Sequence, residues 1–343
     1  MSNQTSDNNK RIAKNMSQTP ITGFDLLKFI MALVIINIHV QLVDVSEGTL
    51  MYAPWSFVND MAVPTFFILS SFFLFKKMRE DDEKGSFKRL IHYEKRLLKL
   101  YLFWIIALSP IILFCWHREY LESYLGIFLF AKNFFFGYEF GASWFFGALL
   151  IGVPIVYFVG RYANDKVLLA LTLLVYVYLY ADLDNKYLCQ LYTEYLRDPK
   201  LSFPAGLLWI SIGKVLSNER ISQMAEVARS GHLIMGGVIV VALGSYFNDY
   251  NYVFRIPSVI LLIGCFYKIN IDNQSMCRRM RIYSTHFFCL HYSLIIVMQH
   301  LPKMYLDDKL IQMLEVLILC LLISNIIIYF KQFKYFSWLK YSM

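Results

Sequence analysis

An all-α bundle crossing a membrane many times is the fold this chain predicts, and three observations predict it. Of its 343 residues, 57% are hydrophobic and only 17% are charged, where ordinary soluble domains have roughly a quarter charged. The mean hydropathy is +0.47. The apolar residues also come in separate runs of about 15–22, each long enough to cross, or nearly cross, a hydrocarbon core about 30 Å thick. Alternating segments of about ten residues, the mark of a membrane β-barrel, are not found in the sequence.

Residues 1–22 are polar, rich in Asn, Gln and Ser, and have no apolar core. They read as a disordered cytoplasmic tail and not as a signal peptide. Residues 23–331 form one membrane domain whose spans are expected at 24–43, 56–75, 97–115, 143–160, 166–182, 203–217, 232–247, 253–268, 283–300 and 310–330, about ten in all. Residues 332–343 are left as a short cytoplasmic tail. An eleventh apolar piece at 123–137 is short and carries Lys132 and Asn133. If it crossed, the basic residues of 161–166, 214–229, 268–281 and the C-terminus would all move outside. Cytoplasmic loops concentrate Lys and Arg, so 123–137 is expected to be re-entrant or peripheral on the outer side, with both termini inside. The loop 76–99 alone carries Lys76, Lys77, Arg79, Lys84, Lys88, Arg89, Lys95, Arg96 and Lys99. Such loops fit a bacterial-type inner or plasma membrane and its anionic lipids. They account for the net charge of +8 without a nucleic-acid partner.

The first span holds the residues that most need explaining. Lys28 and His39 lie eleven positions apart, about three helical turns and ~16 Å along the axis, so both face nearly the same side. A lysine in a membrane helix costs about 2.5–3.5 kcal/mol at mid-span, so such groups usually face a cavity or a partner. With this orientation Lys28 lies toward the cytoplasmic end and His39 toward the outer end. A histidine suits a general base, because its ordinary pKa near 6.5 leaves imidazole neutral at neutral pH. His291, within the ninth span, is equally open to a substrate or a packing role, and His286 reads as interfacial. Glu139, in the turn GYEFGASW at 137–144, is a carboxylate able to orient His39 or an acceptor, or simply a solvated loop residue. Glu315, a single acid within the last span, is a weaker candidate of the same kind. Ser70 lacks a G-x-S-x-G context and reads as a helix–helix hydrogen bonder before a nucleophile. Arg96 and Lys99, three apart at the membrane end of the basic loop, are candidates for phosphate contacts. The six cysteines have no C-x-x-C pairing. They indicate neither a disulfide framework nor a metal site, and no metal is expected.

Five stretches then resemble one family in order. FDLLKFIMALVIINIH at 24–39 is similar to the opening helix of the acyltransferase-3 family of integral membrane acyltransferases. The matching motif is Asp25, Lys28 and, after ten intervening residues, His39. VPTFFILSSFFLF at 63–75 resembles the family's V-P-x-F-F-x-x-S-G-F segment, with Ser71 where glycine is usual. EKRLLKLYLFW at 94–104 resembles its R-x-x-R entry, here Arg96 and Lys99. ASWFFGALL at 142–150 resembles the helix led by tryptophan, here Trp144, and STHFFCLHYSL at 284–294 resembles the late segment with His291. The resemblance covers roughly 20–340. It implies an O-acyltransferase with His39 as catalytic centre, Lys28 beside it, and Arg96 and Lys99 engaging the donor. It also implies acyl-CoA, most often acetyl-CoA, as co-substrate with no tightly bound cofactor, and a cell-surface glycan or lipid-linked sugar as acceptor. Lysine in place of arginine at 28 and 99 keeps the charge but loses the bidentate fork. A polysaccharide or lipid-linked-sugar exporter is the alternative reading. It is weakened because the sequence shows no symmetric halves with matching broken helices.

Overall fold

The computed structural model describes residues 21–41, 52–181, 187–219, 221, 227–247, 250–299 and 308–343. All of its secondary structure is helical among these residues. The N-terminal tail up to residue 20 lies outside them.

Counting helices of eight or more residues in chain order, α1 is Thr22–Val40, α2 Tyr52–Asn59, α3 Ala62–Met78, α4 Glu83–Ala107 and α5 Gly126–Phe136. Next come α6 Trp144–Tyr162, α7 Asp165–Tyr180, α8 Tyr187–Tyr195 and α9 Phe203–Leu216. The chain ends with α10 Ser230–Tyr246, α11 Asn251–Tyr267, α12 Gln274–Gln299 and α13 Lys309–Phe330. Several starts are fixed locally by a side chain that takes an orphan backbone N–H. Asp82 accepts from Gly85, Asn164 from Val167, and Asp308 from Leu310 and Ile311.

Four helices are long and apolar enough to cross a membrane: Thr22–Val40, Pro54–Met78, Gly141–Tyr162 and Lys309–Phe330. A fifth is added if Glu83–Ala107 and Ser109–Cys115, bent by 64°, count as one span. The chain is therefore multi-pass. Helix length and composition carry four or five spans among the described residues, against an expectation of about ten. The shortfall has a physical source. α7, α9, α10 and α11 are 14 to 17 residues long, about 21–26 Å at 1.5 Å per residue, short of a 30 Å core, and α12 is long enough at 26 residues but carries Arg278, Arg279, Arg281, His286 and His291. The 64° bend falls at Leu108, two residues before Pro110, which has no N–H to give the carbonyl of Ile106. The Ser109 hydroxyl donates to that carbonyl instead, at 2.8 Å.

α1 lies against α12, and α3 against α9, which also packs on α6 and α7. The α3–α9 seam is close because Gly213 faces Ser71, where any Cβ would run into the Ser71 hydroxyl and the Ile68 carbonyl. Ser71, which stands where the family pattern has glycine, hydrogen-bonds back to the Phe67 carbonyl at 2.9 Å, and the small residue is found on the opposite helix. On the expected outer side, α5 is an 11-residue helix. Tyr101 ties it to the bundle, stacking between Phe134 and Phe146 at 4.5 and 5.3 Å. The C-terminal segment, expected only as a short tail, folds back onto the bundle. Trp338 packs on Phe103 at 5.5 Å, and the Ser342 hydroxyl sits 3.2 Å from His286 Nε2. His286 is fully buried, so the interfacial reading of it is corrected. The docked C-terminus covers it.

Candidate active site

Two cavities lie in line along α1. The one at the His39 end, outer in the expected orientation, is about 620 Å³ and is lined by His39 from α1, Asn59, Asp60, Trp144, Arg255 and Tyr292 among others. The inner, about 230 Å³, is lined by Lys28, Ser70, Tyr93, Arg96, Arg281 and Met343 among others. The spacing read from the sequence therefore puts one end of α1 in each cavity. Phe145 and Phe288 line both, and Phe66 lines the inner one. Their rings meet at centroid distances of 5.2 Å (Phe145–Phe288), 5.3 Å (Phe66–Phe288) and 6.3 Å (Phe66–Phe145).

In the outer cavity the exposed face of His39 meets α12. Its ring lies 4.6 Å from that of Tyr292 and 5.1 Å from that of His291. His291 is fully buried. Its Nδ1 is 2.9 Å from the Phe287 carbonyl, an acceptor, so Nδ1 carries the proton and donates. Nε2 is then left as a lone pair, buried and with no hydrogen-bond partner among the described residues. Trp144 stacks on Phe67 at 5.8 Å and forms part of the wall. Opposite, Arg255 pairs with Asp60 and lies over the Tyr180 ring. Arg255 is buried while the Asp60 side chain is 39% exposed, so the carboxylate gives the buried guanidinium its counter-charge.

In the inner cavity Lys28 sits 5.0 Å over the Phe73 ring. Asp25 is buried and held by the two nitrogens of Arg281, at 2.9 and 2.7 Å. The basic groups that converge are Lys28, Arg96 and Arg281. Lys99 instead lies 5.3 Å over the ring of Tyr341, away from this cavity.

Glu139 is fully buried, contrary to the solvated-loop reading, but it does not line the cavity of His39. Oε1 accepts from Tyr120 at 3.3 Å, Tyr120 accepts from Asn133 at 2.7 Å, and Arg197 donates to Asn133 at 3.3 Å. Burial pushes the Glu139 carboxyl up to about 8, so it is largely a neutral acid at pH 7. The same turn reaches the outer cavity through Tyr138 and Gly141. Gly141 approaches Tyr292 so closely that a Cβ would lie 2.5–2.6 Å from the ring and its Cβ.

The acyltransferase domain model of the acyltransferase-3 family matches residues 21–338. The chain belongs to the acyltransferase-3 family. No curated protein and no solved structure matches it. As a member of that family it is a membrane acyltransferase, and the match begins at the start of α1 and runs into the docked C-terminal segment. The structure puts Lys28, Arg96 and Ser70 in the lining of one cavity, His39 and Trp144 in that of the other, and Asp25 beside the first; the sequence had named each of them only as a candidate. Arg281, treated only as a topology charge, and the Asp60–Arg255 pair were missed. The signal for the pair was there: a charged residue inside each of two apolar runs, which the cost of burial turns into a partner search. Tyr93 and Tyr292 carried no such signal.

Proposed function

We propose that this acyltransferase moves an acetyl or similarly short acyl group from acyl-CoA to a hydroxyl of a cell-surface glycan or lipid-linked sugar. The observation that carries the reading is α1 itself, which offers a cationic residue to one cavity and a histidine to the other. In this scheme the donor's phosphates rest with Lys28 and Arg96, a charge-assisted contact, with Lys99 a peripheral contributor on the basic surface. The outer cavity combines aromatic rings with Asn59, Asp60 and Arg255, groups suited to a sugar's faces and hydroxyls.

His39 takes the proton of the acceptor hydroxyl as its oxygen attacks the thioester carbonyl. The tetrahedral intermediate collapses, the C–S bond breaks, and the departing thiolate takes the proton from the imidazolium. The lone pair on His291 Nε2 lies beside His39 and favours the imidazolium that forms. Glu139, a buried neutral acid, holds the turn carrying Tyr138 and Gly141 and so shapes the acceptor side. Ten crossings with both termini cytoplasmic remain the topology that best fits the basic loops.

The test is complementation with His39→Ala, measuring surface acyl groups and total surface glycan separately. Loss of a general base costs about 10²–10⁴ in rate, so acylation should all but vanish while glycan and protein levels hold. Full acylation would refute the assignment. Loss of the glycan with unchanged acylation per sugar would instead make the protein an exporter.

A further inference from the structure

The two cavities differ in what they hold and share a wall. Lys28 and His39 are separated by a rise of ~16 Å along α1. In a coenzyme A thioester, a single chain of about 13 bonds joins the inner phosphate to the thioester sulfur; at the ~1.2 Å of advance per bond of an extended backbone, it reaches ~16 Å. A donor whose phosphate stands at the level of Lys28 and Arg96 thus brings its thioester to the level of His39. To do so its arm must cross the level where Phe145 and Phe288 wall both cavities.

That level is filled with rings. Phe66, Phe145 and Phe288 are all buried and come from three different helices, α3, α6 and α12. Phe288 touches both of the others and lies one helical turn before His291, their rings 6.5 Å apart. The inner cavity, about 230 Å³, is below the usual 300–1,000 Å³ of a site that encloses a drug-sized ligand. It suits a narrow arm and not a nucleotide.

We propose that the donor is threaded: Phe66, Phe145 and Phe288 form a constriction through which the acyl end of the arm passes, and its bore decides which acyl groups reach His39. The donor class is unbranched acyl thioesters. Side chains on three helices part by rotamer changes wide enough for the unbranched arm, and a branched acyl group, broader than the arm that follows it, needs a wider opening than those rotations give. This inference rests on the acyl-CoA reading above. The chemistry it needs is unchanged, since the constriction acts before any bond is made.

The experiment uses the purified full chain in lipid nanodiscs with acetyl-, butyryl-, hexanoyl- and isovaleryl-CoA. Free CoA is quantified by chromatography, with water as acceptor; water's oxygen bonds to the acyl carbon, the C–S bond breaks, and the thiolate takes the proton. His39→Ala sets the background. The native chain should release CoA from acetyl-CoA at least about tenfold faster than from isovaleryl-CoA, while unbranched butyryl- and hexanoyl-CoA fall much less behind. Phe288→Ala should shrink the acetyl-to-isovaleryl ratio about tenfold. Phe288→Leu and Phe145→Leu, which keep an apolar side chain on two different helices, should shrink it in part, and they serve if the alanine variant does not assemble. A flat profile in the native chain, or an unchanged ratio in every assembled variant, would overturn the constriction while leaving acyl transfer standing. No release from any thioester by the native chain would remove the acyl-CoA reading itself, and this inference with it.

Discussion

At the scale of single residues, what decides the site is which polar groups are buried and what they meet there. Glu139 is the case with a pH signature. Its carboxyl, ordinarily near 4.5, is raised by burial to about 8. The folded protein therefore holds this proton more tightly than the unfolded chain, and the resulting stability is complete below about pH 4.5 and is lost as pH rises through about 8. Glu139→Gln keeps a neutral side chain of the same shape at all pH values. Thermal melts in detergent should show the native chain losing several degrees more than the variant between pH 5 and pH 9; parallel losses would mean that Glu139 is not held neutral. The sequence showed Glu139 only as an acid in a glycine-rich turn. Its burial depends on Tyr120 and Asn133 folding over it from the preceding segment, a contact no local pattern encodes. Lys28 and His39 were legible because one helix carries both, and helical spacing is a property of sequence. His291 was readable as a histidine within a span, but its place beside His39 comes from α12 lying on α1. Asp25 stood out in a motif, while its partner Arg281 lies in a distant stretch of chain and looked like one more loop charge.

At the scale of elements, close approach is the controlling fact, and glycine permits it where α3 and α9 meet. A Cβ at Gly213 would run into the Ile68 carbonyl as well as the Ser71 hydroxyl, so no single rotamer change relieves it. Overpacking typically costs about 1–3 kcal/mol and more where backbone is struck. Gly213→Leu should therefore lower the yield of detergent-stable protein sharply, and adding Ser71→Gly should restore little of it. Full yield from the single variant would show that the seam is looser than it looks. The apolar runs of the sequence match α9, α10 and α11 in position and length, 14 to 17 residues. Apolar runs flagged as full spans at 203–217, 232–247 and 253–268 are shorter as helices than a hydrocarbon core. Hydropathy measures how apolar a segment is, but not how much of its apolar surface is spent on neighbouring helices. α9 is buried along most of its length, so its apolar residues answer to protein packing as much as to lipid. The kink just before Pro110, by contrast, was present in the sequence as a proline inside an expected span.

At the scale of the whole molecule, the arrangement of charge sets which face is which. The basic loop at 76–99 and the outer segment should lie on opposite sides of the membrane. After replacement of the exposed Cys115 and the half-buried Cys189, a cysteine at Tyr195, an exposed position, should react with an impermeant thiol reagent in intact cells. A cysteine at Lys84 should react only after permeabilisation. Labelling of both in intact cells would break the orientation on which the donor and acceptor sides depend. The aromatic wall between the cavities has a consequence of another kind. Two water-accessible chambers aligned through a membrane are, apart from whatever divides them, an ion channel. Here the divider is three phenyl rings with no polar atom among them, and hydrophobic constrictions of this kind stop conduction by excluding water. An enzyme that passes a substituent from one face to the other must do so without short-circuiting the electrochemical gradient its host cell lives on. In the threading scheme proposed above, a plug of apolar rings would let an acyl group slip through while protons, which need a water wire, stay where they are.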